Sequence, residues 1–116
     1  MATKQHKRFS KILNQAANLL ETKGWCKGEF AKNDETNDEV SPLSKYADRF
    51  CAIGAICAAN KSHSEPWELR SILDSNTPGG CIIEYNDSTA KDKRYVIRLF
   101  RRVARKLMSG EINNED

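Results

Sequence analysis

Residues 51–59 read CAIGAICAA, nine positions without a charged or amide side chain. Wound as a helix, this run has no polar face, and a helix that is apolar all round is buried on most sides. It has to lie at the centre of whatever core the chain builds, and residues 47–60 are its expected extent. Gly54, in its interior, costs about 1 kcal/mol against alanine. Keeping it implies that a backbone segment or a large ring lies where a Cβ would otherwise stand.

The rest of the chain is built around that segment. Its 116 residues are expected to form a single domain, 1–116, with one core. From Lys4 to Lys23 the residues Phe9, Ile12, Leu13, Ala16, Ala17, Leu19 and Leu20 recur at helical spacing, with Lys4, Lys7, Lys11, Asn14, Asn18 and Glu21 opposite them. Gly24 stops this helix. Residues 33–46 read as a long polar loop on the surface, with Trp25 and Phe30 anchoring its approach. Residues 64–74, SEPWELRSILD, predict a short helix capped by Ser64, with Trp67, Ile72 and Leu73 facing inward. CIIEY, residues 81–85, is β-branched and bounded by turns, so Cys81 to Tyr85 reads as extended or as one short strand. A last helix is expected after Ser88 or Thr89, with Val96, Leu99, Phe100, Val103 and Leu107 on its inner side and Gly110 as its stop. Residues 110–116 form an acidic tail. The expected fold is all-α, a compact bundle of about four helices.

The charge is arranged by segment. Residues 91–106 hold eight Lys or Arg and one Asp, although the whole chain is only +3. Lys91, Arg94, Arg98, Arg101, Arg102 and Arg105 fall on the side opposite the apolar one. Like charges at i, i+3 and i, i+4 repel by tenths of a kcal/mol per pair, so the stripe does not serve helix stability. It is the candidate partner-binding surface, able to follow a phosphate backbone or to dock an acidic protein. The acidic residues of 33–39 could offset part of it internally, and a purely solvated face is the plain alternative.

Other chemistries are weaker. Cys51 sits near a helix start, where a thiol can be activated, but His6 and His63 are the only imidazoles. His63 lies beyond the far end of the same helix, roughly 15 Å away at 1.5 Å rise per residue. A buried apolar thiol is the better reading. Cys26, Cys51, Cys57 and Cys81 are spaced by 25, 6 and 24 residues, without the close pairs a zinc site uses. TPGGC lacks the spacing of a phosphate loop. No catalytic, metal or cofactor residues are assigned. The basic N-terminus lacks the apolar stretch of a secretion signal, and no run is long enough for a membrane span. A cytoplasmic protein with reduced cysteines and no membrane partner is expected.

The order of GWCKGEF, CAIGAICAA and IIEYND before a final helix resembles a small uncharacterised family of bacterial and phage proteins. That family shows Gly-Trp after the first helix, Cys-Ala-x-Gly-Ala in the middle, and Trp- or Tyr-Asn-Asp near the end. The resemblance runs from Ile12 to Leu107. It implies a compact helical domain and no known activity. It also implies that Trp25, Cys51, Gly54, Tyr85, Asn86 and Asp87 meet, with an aromatic ring against Gly54 and with Asn86 and Asp87 capping the last helix. The polar loop and the arginine-rich helix are not part of the pattern.

The function expected from these features is a non-enzymatic binding protein. It would dock, and could inhibit, a host protein or nucleoprotein complex such as a defence system; a phage origin rests on the resemblance alone. Direct nucleic-acid binding through the last helix is the alternative, and a Cys51-dependent enzyme is a weaker one.

Overall fold

The computed structural model describes residues 2–112. Four helices of two turns or more carry the fold among them, in the order α1 (Lys4–Thr22), α2 (Ala52–Asn60), α3 (Trp67–Ser75) and, after a short helical turn α4 (Ile82–Glu84), α5 (Lys93–Ser109). The fold is mainly helical, with one two-stranded ribbon.

The two long helices form where the periodicity placed them. The Thr3 hydroxyl caps α1 by accepting the His6 N–H at 3.0 Å. Phe9, Ile12, Leu13, Ala16, Ala17 and Leu20 fill its inner face. α5 buries Val96, Ile97, Leu99, Phe100, Val103, Ala104 and Leu107, and it ends at Gly110 in the left-handed region, φ 83°. The pair packs antiparallel. Ser10 donates its hydroxyl to the Ala104 carbonyl at 3.1 Å, and Lys93 reaches the Glu21 carbonyl at 3.0 Å. Helix α2 packs against α1, with Ala52 to Cys57 all buried, as a run without a polar face requires.

Local expectations at four places in the chain are corrected. The middle helix begins at Ala52, not at residue 47. Arg49 and Phe50 form strand β2, antiparallel to β1 (Ala31–Lys32), with Ala31 opposite Phe50. The strand expected at Cys81 to Tyr85 is instead helical. The Asp74 carboxylate accepts the Ile82 N–H at 2.9 Å and starts a turn there. It continues as a widened π turn, Tyr85–Thr89, closed by the Ala90 N–H on the Tyr85 carbonyl at 2.8 Å. With Ser88 and Thr89 inside that turn, Asp92 caps α5, accepting the Arg94 N–H at 2.9 Å. Helix α3 has Pro66 at its cap position and no side-chain cap, so Ser64 has no such role. Its inner face is Leu69 and Leu73, one turn apart, which leaves Trp67 74% exposed and Ile72 partly buried.

The 33–46 segment is tied down. Asn33 and Val40 return their N–H groups to Asp38 and Ala31 carbonyls at 3.0 and 3.1 Å, and the Asp48 carboxylate accepts the Asp34 N–H at 2.9 Å. Of the acidic tail, residues 113–116 lie outside the described residues. Ile112 packs against the core.

Candidate functional site: a signature cluster and a cationic face

The segments GW, CAIGA and YND converge. After α1 the chain passes beside β2, where Trp25 forms a parallel bridge with Phe50 through Cys26 N–H to Phe50 O at 3.1 Å and Phe50 N–H to Gly24 O at 3.0 Å. Trp25 then donates its indole N–H to Asn86 Oδ1 at 2.7 Å. The same oxygen accepts the first N–H of α2, from Ala52, at 3.0 Å. The Asn86 amide donates to the Cys26 carbonyl at 3.1 Å and to Asp87 Oδ1 at 2.8 Å. Asp87 Oδ1 also accepts the Gly28 N–H at 3.1 Å. Asn86 is 1% exposed, and all its amide groups serve as ties between three segments. Short π turns of the kind that carries it recur at functional positions.

Two implications of the resemblance change. The neighbour of Gly54 is the Phe30 carbonyl rather than an aromatic ring; a Cβ there would collide with that oxygen and its carbon. Asn86 and Asp87 hold the 25–28 segment and α2 and leave the capping of α5 to Asp92. Tyr85 is buried one position before the hub. The partners that sequence reasoning missed are main-chain groups of Cys26, Gly28, Phe30 and Ala52, which leave no side-chain signature.

Cys51 caps α2: its Sγ accepts the Gly54 N–H at 3.3 Å. Burial pushes its thiol up, against the N–H groups of Gly54 and Ile53 that pull it down. Burial likewise raises Cys26 and Cys57 to about 11. These thiols are held protonated at neutral pH, the opposite of an activated nucleophile. All four cysteines are free. Among the described residues no group of three or more His, Cys, Asp or Glu is arranged to hold a metal ion.

The cationic stripe is present, with altered membership and different partners. Arg94, Arg98, Arg101 and Arg105 share one face of α5, and Arg102 flanks it. Lys91 precedes the helix and does not belong to the face. Arg94 is committed to the cap, with its guanidinium 2.8 Å from Asp92, and that contact holds the Asp92 carboxyl below its usual range. Arg101 bridges to α1 through Asn18 Oδ1 at 2.9 Å and Glu21 Oε1 at 3.1 Å. Arg98 lies over the Tyr95 ring at 5.7 Å. Arg102 and Arg105 are exposed, and neither has a carboxylate partner among the described residues.

The Arg101 bridge sets the stripe beside the polar face of α1. Because the helices run antiparallel, exposed Lys4, Lys7 and Lys11 of α1 continue the arginine face across the pair. The acidic 33–39 segment does not neutralise it. Asp34 pairs at 2.6 Å with Arg49, which also bonds Asn37. α1 carries Lys4 and no acid in its first turn, an arrangement the helix dipole disfavours by roughly 0.3–1 kcal/mol.

The molecule is thus a small helical domain with an internal polar hub and a two-helix cationic surface. The chain belongs to a family of unknown function (DUF6197), whose model matches residues 4–106. No match was found among curated proteins or among solved structures. No helix among the described residues is long and apolar enough to cross a membrane.

Proposed function

We propose that the protein is a non-enzymatic binding module that docks an acidic protein surface through the α1–α5 cationic face. The observation that carries this reading is the set Arg98, Arg102 and Arg105, which is exposed on rigid helix and paired with no carboxylate among the described residues. With Lys7 and Lys11 beside it, the face concentrates charge that the fold does not use. Arginine suits carboxylate recognition, since its planar fork pairs two oxygens at once. Glu21 and Asp92 lie at the edge of the face, where they repel a phosphate backbone but leave room for a protein's mixed surface. The setting proposed for the protein is cytoplasmic, which suits four free cysteines. A host protein or nucleoprotein complex is the partner proposed for this face, and a phage origin rests on the resemblance alone.

The test is the double variant Arg98→Glu with Arg105→Glu, because Arg94 and Arg101 also serve the fold. A tagged chain is used for capture from host lysate with and without nuclease. The expected result is a protein partner that survives nuclease, is lost from the variant, and leaves the melting temperature unchanged. Binding that disappears with nuclease, with a salt slope near 0.9 per phosphate neutralised, assigns the face to nucleic acid. A variant that keeps every interaction leaves the face merely solvated.

A further inference from the structure

A second surface carries the opposite charge. Where residues 28–30 pass over the start of α2, a groove of about 180 Å³ opens beside the signature cluster. Its walls are Phe30, Ile53 and Ile83, and its acidic groups are Glu29, Glu39 and Asp87. Phe30 is 49% and Ile83 39% exposed, so two of the large apolar side chains that line it stand partly in water.

The groove contains no cationic lining residue. Glu29 is paired with Lys32 at 3.0 Å, and Asp87 Oδ1 is used by Gly28 and Asn86. The Glu39 carboxylate and the second oxygen of Asp87 have no partner among the described residues. Donors are already consumed: the Ala52 N–H goes to Asn86 and the Gly54 N–H to Cys51. The start of α2 therefore offers nothing to an anion. An apolar slot lined also by the Glu39 carboxylate and the unused oxygen of Asp87 matches a group with an alkyl stem and a cationic head.

We infer that this groove receives a lysine or arginine side chain from an extended segment of a partner protein. The stem lies between Phe30, Ile53 and Ile83, and the head meets Glu39 and Asp87. The groove has room for one long side chain rather than for a folded element. This surface is separate from the α1–α5 face, and its variants leave that face intact.

The test is a nitrogen-15 shift titration of the full chain with the blocked peptide Ala-Leu-Arg-Leu-Ala. Its counterparts carry lysine, citrulline or glutamate at the centre, and agmatine stands for a free amine. The expected result is perturbation of residues 28–30, 53 and 83 by the arginine and lysine peptides. Affinity should fall about tenfold or more for citrulline, the size of one charge-assisted contact, and fall again in Glu39→Gln and Ile83→Ser, both exposed positions. Equal binding of the citrulline or glutamate peptide overturns the inference. Agmatine binding as tightly as the peptides overturns the protein source in favour of a small amine. Groove shifts that follow protein concentration alone replace the partner with a second copy of this chain.

Discussion

Trp25 and Asn86 meet through a 2.7 Å hydrogen bond that spans 61 positions of the chain. The acceptor oxygen is shared with the first amide of α2, so one buried side chain joins the post-helix segment, the apolar helix and the π turn. Removing it leaves the Trp25 indole, the Ala52 N–H and the Cys26 carbonyl without partners. Each such orphan costs about 1–3 kcal/mol. Asn86→Ala is therefore expected to lose at least about 3 kcal/mol in urea unfolding. Asn86→Asp is also expected to be strongly destabilised, since it places a like charge against Asp87 and removes the donor to Cys26. A loss below about 1 kcal/mol for both would show that water replaces the amide freely.

Gly54→Ala reverses the usual sign for a helix interior. Propensity alone favours alanine by about 1 kcal/mol. Here the new Cβ meets the Phe30 carbonyl, which is backbone and already accepts the Cys51 N–H at 3.1 Å. Overpacking of this kind costs about 1–3 kcal/mol. Thermal melts should rank wild type above Gly54→Ala, and that above Gly54→Val. An alanine variant as stable as wild type would mean that β1 and α2 can move apart.

Asp74 holds two groups at once, accepting the Ile82 N–H through Oδ1 and pairing with Arg70 at 3.0 Å through Oδ2. Asp74→Asn keeps an acceptor for Ile82 and loses only the ion pair. It should cost under about 1 kcal/mol, the range of part-exposed pairs. Asp74→Ala removes the cap as well and should cost about 1–2 kcal/mol more. Equal losses in the two variants would show that the amide of Ile82 does not depend on this side chain.

The buried thiols predict an alkaline limb. Cys26 and Cys57 are raised from the ordinary 9.0 to about 11. Between those values the unfolded chain has lost protons that the folded chain keeps, so stability falls as pH rises. Below about 9 their contribution is intact. Equilibrium unfolding from pH 8 to 11 should therefore steepen in wild type and flatten in Cys26→Ala with Cys57→Ala. Unchanged slopes would place the thiols in contact with water. Native Cys51 is likewise expected to resist a thiol reagent until the protein unfolds.

What could be read from the sequence divides by distance along the chain. α1 and α5 were legible because their apolar spacing, Gly24 and Gly110 are local signals. The start of α2 was misplaced by five residues because Arg49 and Phe50 are held extended by Ala31 and Lys32, a pairing that has no local signature. CIIEY is β-branched, yet the Asp74 carboxylate, eight positions before Ile82, turns it helical. The meeting of the signature segments was legible as a pattern. Its chemistry was not, since two of the four partners of the Asn86 amide, Ala52 N–H and the Cys26 carbonyl, are main-chain groups. The arginine stripe was visible, but Arg94 and Arg101 proved to hold a cap and a helix contact. The groove beside Phe30 and Ile83 left no trace, because its lining comes from four separate segments.

The Asn86 hub is expected to close late in folding. Its bonds to Trp25, Cys26 and Ala52 close loops of 61, 60 and 34 residues, and such closures are slow compared with the winding of a single helix. α1 and α5 carry their own local instructions; the hub needs residues 25–28, 52 and 86–87 brought together. The fluorescence of Trp25, partly buried and bonded within the hub, is thus expected to report the closing step of folding, whereas Trp67, 74% exposed, should report almost none of it.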